Sequence, residues 1–253
     1  MRFPKNETLS PEAEATATTA AAEDDPSQQQ QRQPQAKSHP TLKSALYDGW
    51  FKKLIDVSAL RDWPFVLMIG GLLTTFMGIY TILYYINLFT AQRTSAPSNV
   101  TRQTLTMVNA ASTVGRILPS ALADRVGPTH VLAATALLSG MLNFALLAVS
   151  STAGLIPWTI AFGSISGAFQ GLPAAGVVSI SNSRDNIGVR LGVVLGVVGC
   201  GVLIAEPIAG AILAGRGGWP GLTAWSGSLM FVGSVFMVAA RVTNAGVAVK
   251  VKL

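Results

Sequence analysis

The chain has one cysteine, two histidines and almost no acid beyond its first quarter. The lone Cys200 cannot close an intrachain disulfide, and its place in an apolar run predicts a buried thiol. His39 and His130 stand in unrelated contexts, which argues against a histidine-based metal site, and no metal is expected. A G-x-x-x-x-G-K-[ST] loop is missing, which argues against an ATP-driven pump. Gly199-Cys200-Gly201 opens like a dinucleotide fingerprint, but Ile204 stands where the third glycine belongs, so helix packing is the reading and no cofactor is expected. No nucleophile–base constellation is visible either, so the chain is not read as an enzyme. Residues 1–41 lack an apolar core of signal-peptide type, and the first hydrophobic run is expected to act as its own insertion signal.

Charge is the scarcest commodity. Charged residues make up 12% of the 253, against about 25% in soluble domains. Residues 1–62 hold nine of the 12 acids, leaving three acids and ten bases for the rest, together with 24 of the 25 glycines. Half of the chain is hydrophobic and its mean hydropathy is +0.46. A surface so poor in charge cannot face water, so the expected partner is the lipid bilayer. The net charge of +6 is scattered singly along the chain rather than clustered on one face, and no nucleic-acid partner is expected.

Four regions follow. Residues 1–41, rich in Ala, Thr, Glu, Gln and Pro, read as a disordered cytoplasmic tail, because they bury too little surface to offset chain entropy. In residues 42–62, Leu46, Trp50, Leu54 and Ile55 recur at helical spacing among Lys43, Lys52 and Lys53. This juxtamembrane stretch is either an interfacial amphipathic helix or a frayed linker. Residues 63–241 break into six apolar segments near the length a bilayer requires, at about 65–89, 103–123, 131–149, 156–180, 192–213 and 222–239. Residues 242–253 form a C-terminal cytoplasmic tail. Strand alternation is absent, so the expected fold is an all-α membrane protein of six transmembrane helices. Lys52, Lys53, Arg61, Arg125, Arg184, Arg190, Arg241, Lys250 and Lys252 fall on one side, against Arg93, Arg102 and Arg216 on the other, which places both termini in the cytoplasm. Asn99-Val100-Thr101 is then a glycosylation sequon in an outside loop.

Chemistry concentrates in the second segment. Thr106, Asn109, Ser112/Thr113, Arg116 and Ser120 recur three or four apart and form a polar stripe, which lines a wet path or a partner helix because lipid contact would be costly. Arg116 suits the grip of an anion, or else it snorkels near the cytoplasmic end and pairs with Asp124. Glu206, the acid placed inside an apolar run, either couples protons or sits structurally beside the Pro207 kink. Tyr80, Tyr84, Tyr85 and Asn87 make a polar-aromatic end for the first segment, and Gln170 before Pro173 is a second wall residue. Gly163, Gly167 and Gly171, like Gly192 and Gly196, are four apart and suit close helix contact.

The run Gly115-Arg116-Ile117-Leu118-Pro119, then Ala123-Asp124-Arg125-Val126-Gly127, resembles the signature between the eighth and ninth helices of the major facilitator superfamily. Fungal relatives of the monocarboxylate porters are the most similar branch. Gly78-Ile79-Tyr80, Gly163 to Ala168, and Pro207 to Leu213 resemble its seventh, tenth and eleventh helices. The resemblance implies the C-terminal six-helix half of a secondary transporter for small organic solutes of monocarboxylate type, which needs a second half to work. It implies that Arg116 holds an anionic group while Asn109, Ser112 and Tyr84 line the path. Asp124, Arg125 and Gly127 would form a cytoplasmic latch. The chain departs from the pattern at Ser112, where animal monocarboxylate carriers have an acid, and at Glu206, where a glycine is expected. The rival expectation is a truncated membrane protein that does not transport.

Overall fold

Prolines and close-packed glycines set where the helices stop and how near they approach. The computed structural model describes residues 62–180 and 187–245, and their regular structure is helical throughout. Helix α1 spans Trp63–Arg93, α2 Ser98–Gly115, α3 Ile117–Val126 and α4 Pro128–Ala145, with a 3-10 turn at Leu146–Ala148. Then come α5 (Thr152–Gly171), α6 (Pro173–Ile180), α7 (Ile187–Ala214) and α8 (Gly218–Ala245). The expected tail over 1–41, the juxtamembrane stretch as far as Arg61 and the C-terminal tail from 246 onward lie outside the described residues.

Among the described residues, five helices are long and apolar enough to cross a bilayer: α1, α4 with its 3-10 turn, α5, α7 and α8. The second and fourth expected segments are each divided in two. Pro119 has no N–H to give the Gly115 carbonyl and its ring crowds that oxygen, so the helix is interrupted at Arg116. The interruption is one residue wide, and Arg116 itself stays helical at φ −73°, ψ −25°. Pro173 does the same to Phe169: the helix closes at Leu172, still in the right-handed region at φ −107°, ψ −4°, whose N–H turns to the Phe169 carbonyl at 3.3 Å. Gly127, at φ 101°, takes a conformation that other residues resist, and it swings the chain from α3 into the proline-led start of α4.

Small residues set the helix spacing. A β-carbon at Gly71, Gly78 or Gly233 would collide across the α1–α8 contact, and one at Gly115, Gly163 or Gly167 would collide across the α2–α5 contact. The second seam runs parallel, with Gly163 on Val108, Gly167 on Ser112 and Gly171 on Arg116. Its four-residue step matches the expectation for these glycines. Gly192 and Gly196 do not match it: with Gly188 and Gly199 they meet nothing within 4 Å, because α7 turns this side outward. Cys200 shares the open surface of α7, so the expected buried thiol is exposed instead.

The core follows one face of α1, where Phe65, Met68, Leu72, Ile79, Ile82, Ile86 and Phe89 are fully buried at helical spacing. Hydrogen bonds then fix register between antiparallel neighbours. Asn143 on α4 donates to the Thr223 carbonyl at 3.1 Å and to Ser226 Oγ at 2.8 Å, and Ser234 on α8 donates to the Ala133 carbonyl at 2.9 Å. Inside a membrane such bonds average about 0.6 kcal/mol each, so they choose among packings more than they drive them.

Candidate functional site

The two helix interruptions abut. Gly171, the last residue of α5, lies against the aliphatic stem of Arg116, and a β-carbon there would stand 3.4 Å from Arg116 Cγ. Beside them opens a recess of about 610 Å³ bounded by α1, the α2–α3 junction, the α5–α6 junction and α7. Arg116 and Gln170 supply its strongest polar groups, with Phe76 and Tyr80 on α1 and Leu195 and Val198 on α7 among its apolar walls. Phe76 and Tyr80 stack with ring centroids 6.0 Å apart, and Phe76 meets Phe169 edge-on at 5.2 Å, which holds the aromatic wall in place. Arg116 is the sole charge among the lining residues, and most of the remaining wall is apolar.

The other candidates lie elsewhere. Asn109 is exposed, and its backbone carbonyl accepts from Ser112 Oγ at 2.8 Å and Thr113 Oγ1 at 3.1 Å. Ser112 is buried in the α2–α5 seam with its hydroxyl turned back on its own helix. Neither lines the recess. Tyr84 is 69% exposed and packs edge-on to Tyr85 at 5.0 Å; one turn earlier, Tyr80 takes the wall position. Glu206 is half-buried on α7, outside this recess. Its Oε2 is shielded with no hydrogen-bond partner, and its backbone carbonyl accepts from Tyr85 OH at 3.4 Å. Asp124 and Arg125 are exposed at the end of α3, just before Gly127. Asn99 is exposed near the start of α2.

Two features escaped the reading of the sequence. The first had a signal in it. Arg116-Ile-Leu-Pro119 and Gln170-Gly-Leu-Pro173 share a polar residue three before a proline, and these are the two breaks that meet at the recess. The second is an ion pair joining the starts of α1 and α7. Arg190 Nη1 donates to Asp62 Oδ2 at 3.4 Å, and its guanidinium carbon lies 5.1 Å from the Phe65 ring centroid. Arg190 is buried, and its neighbour Leu191 lines the recess. Asp62 holds the N-cap position of α1 yet makes no capping bond, since its carboxylate faces Arg190 instead.

No protein-family model matches the chain. Curated relatives do. The MFS-type transporter dbaD of Emericella nidulans is 37% identical over 70% of this chain and 40% of its own length. The agnestins efflux protein AgnL12 of Paecilomyces divaricatus is 34% identical over 75% of this chain and 43% of its own length. An MFS-type transporter of Aspergillus fumigatus is 30% identical over 83% of this chain and 49% of its own length. The chain thus spans less than half the length of each. Five apolar helices and these relatives together identify an integral, multi-pass membrane protein.

Proposed function

We propose that this chain, a homologue of fungal MFS-type transporters, forms the C-terminal six-helix half of a secondary carrier for small organic solutes. The observation that carries the reading is the meeting of two proline-broken helices beside Arg116 and Gln170. Interrupted helices at mid-depth are where such carriers place their substrates, because the freed backbone and polar side chains are tolerated only around a cavity. The solute is monocarboxylate-like in its charge: Arg116 takes the anionic group in its planar fork, Gln170 adds a hydrogen bond, and Phe76 and Tyr80 cover the apolar part. The names of two relatives, efflux proteins for agnestins and aspyridones, support export as the direction.

Six crossings complete the bundle, with α2 and α3 together making the second. The antiparallel pairing of α4 with α8 and the parallel pairing of α2 with α5 support that count, as they bring alternate helix ends to the same side. Both termini are cytoplasmic and Asn99 lies outside. Asp124, Arg125 and Gly127 form a cytoplasmic latch between halves, and Glu206 is the proton-coupling acid. The open side of α7 leaves a facing surface for a second half, against which the bundle rocks.

A chimera tests the reading. Residues 63–245 replace the matching segment of the Emericella nidulans relative, and solute export is measured in vesicles. Retained export that Arg116→Ala abolishes is expected. A correctly inserted chimera whose export is indifferent to Arg116→Ala would overturn it.

A further inference from the structure

A second recess, of about 460 Å³, lies across the α2–α5 seam from the solute cavity: Gly115 lines it, whereas the next residue, Arg116, lines the cavity. Its walls are Pro119, Leu122 and Val126 from α3, Leu138 from α4, and Ile165 and Ala168 from α5. Thr135 and Ser164 also line it; the Thr135 hydroxyl donates back to the Val131 carbonyl at 2.8 Å, which leaves a wall that is apolar apart from Ser164. Leu122, Val126 and Leu138 are exposed. An apolar groove of this kind does not hold water, and in a bilayer the abundant apolar filler is an acyl chain.

One end of the groove is different. His130, in the first turn of α4, lines it, and Arg241, near the end of α8, donates from Nε to His130 Nε2 at 3.1 Å. That bond makes His130 Nε2 an acceptor, so its Nδ1 carries the hydrogen. It also holds the guanidinium at the groove's mouth with its terminal amino groups directed to no other hydrogen bond among the described residues. Among the described residues, the other charges at this end of the bundle come in couples of opposite sign, Asp124 with Arg125 on α3 and Asp62 with Arg190, so the charge left over is that of Arg241. The start of α4 meets the end of α8 through His130 and Arg241, and the start of α1 lies at the same end, since Gly70 and Gly71 face Phe236 and Met237 of α8. On the topology proposed above, this is the cytoplasmic side, whose leaflet carries the anionic lipids.

We propose that this groove is a binding site for an anionic phospholipid, one acyl chain lying along Leu122, Val126 and Leu138 and the headgroup phosphate resting on Arg241 and His130. The charge match selects the headgroup and the dry groove selects a lipid over a free anion. The site is independent of Arg116 and of any transported solute.

The test uses the full chain reconstituted in phosphatidylcholine bilayers with nitroxide-labelled phosphatidylglycerol or phosphatidylcholine, reading the motionally restricted fraction by electron paramagnetic resonance. A several-fold preference for phosphatidylglycerol is expected, retained in Arg241→Lys and reduced to none in Arg241→Gln. Ala134→Trp, which fills the groove from α4, should lower the restricted fraction of both labels. Equal restriction of the two labels by the unaltered chain overturns the proposal, as does an undiminished preference in Arg241→Gln. Displacement of the label by inorganic phosphate together with indifference to Ala134→Trp also overturns it, because that pattern belongs to a bare anion site. Disulfide crosslinking of two copies of Leu122→Cys in a Cys200→Ser background would give the groove to a second chain and equally sink it.

Discussion

Gly171 and Arg116 touch across two broken helices: a single added β-carbon at position 171 would meet the arginine's Cγ at 3.4 Å. A methyl group at position 171 would just fit against the Arg116 stem, and anything larger would have to displace it. Gly171→Ala should be tolerated in a complete transporter, because the arginine stem can yield by a few tenths of an ångström. Gly171→Leu should displace the guanidinium by an ångström or more and lower transport by about a hundredfold at normal membrane levels. Transport assays with the two variants side by side check this, and equal activity would remove the contact from the mechanism.

Arg116 itself should not be replaceable by lysine. Arg116→Lys keeps a positive charge but loses the planar pair of donors that matches a carboxylate, so a strong transport defect is expected, with Arg116→Ala at least as severe. Concentration dependence of transport for both variants, corrected for the amount of inserted protein, measures the loss. Wild-type transport by correctly inserted Arg116→Ala protein would exclude the anion-gripping role.

The Asp62–Arg190 pair calls for a stability measurement instead. Asp62→Asn leaves the guanidinium of a buried arginine without a counter-charge. Losing a partner costs about 3–5 kcal/mol in a fully buried pair, and less here because the Asp62 side chain is 35% exposed; about 2 kcal/mol is expected. Arg190→Leu alone, or with Asp62→Asn, should recover part of the loss, since an apolar side chain suits the Phe65 neighbourhood. A double-mutant cycle on thermal unfolding in detergent gives the coupling, and additive effects would mean that the pair is incidental.

Glu206 offers a kinetic signature. If its carboxyl carries the coupled proton, Glu206→Gln should abolish the pH dependence of net transport. Counterflow exchange of solute should survive, because exchange need not release the proton. An unchanged pH profile in Glu206→Gln would return this residue to a purely structural part beside Pro207.

Much of the bundle was legible in the order of residues alone. Apolar runs of bilayer length mark where helices form, because a lipid-facing backbone must satisfy itself, and the five long apolar helices fall where the runs do. Arg116 and Gln170 stood out because a charged or amide side chain in such a run needs a wet neighbourhood. The four-residue step of Gly163, Gly167 and Gly171 also marked a close helix contact, though not which helix it meets.

What only the tertiary structure decided is the rotation of each helix about its own axis. Helices that are apolar on every side carry no mark of which face meets protein and which meets lipid, since both surroundings are equally apolar. For that reason Gly192, Gly196 and Cys200 could be assigned to packed interiors and yet lie on the open surface of α7. Ser112 shares a polar stripe with Arg116 but is consumed by the glycine seam, and Tyr80 rather than Tyr84 turns toward the recess. The approach of Asp62 to Arg190, 128 positions apart, depends on the parallel packing of α1 and α7 and on nothing local to either residue. Local chemistry determined which segments are helices and where proline breaks them; close packing between glycine faces determined that the two breaks meet, and with them the cavity.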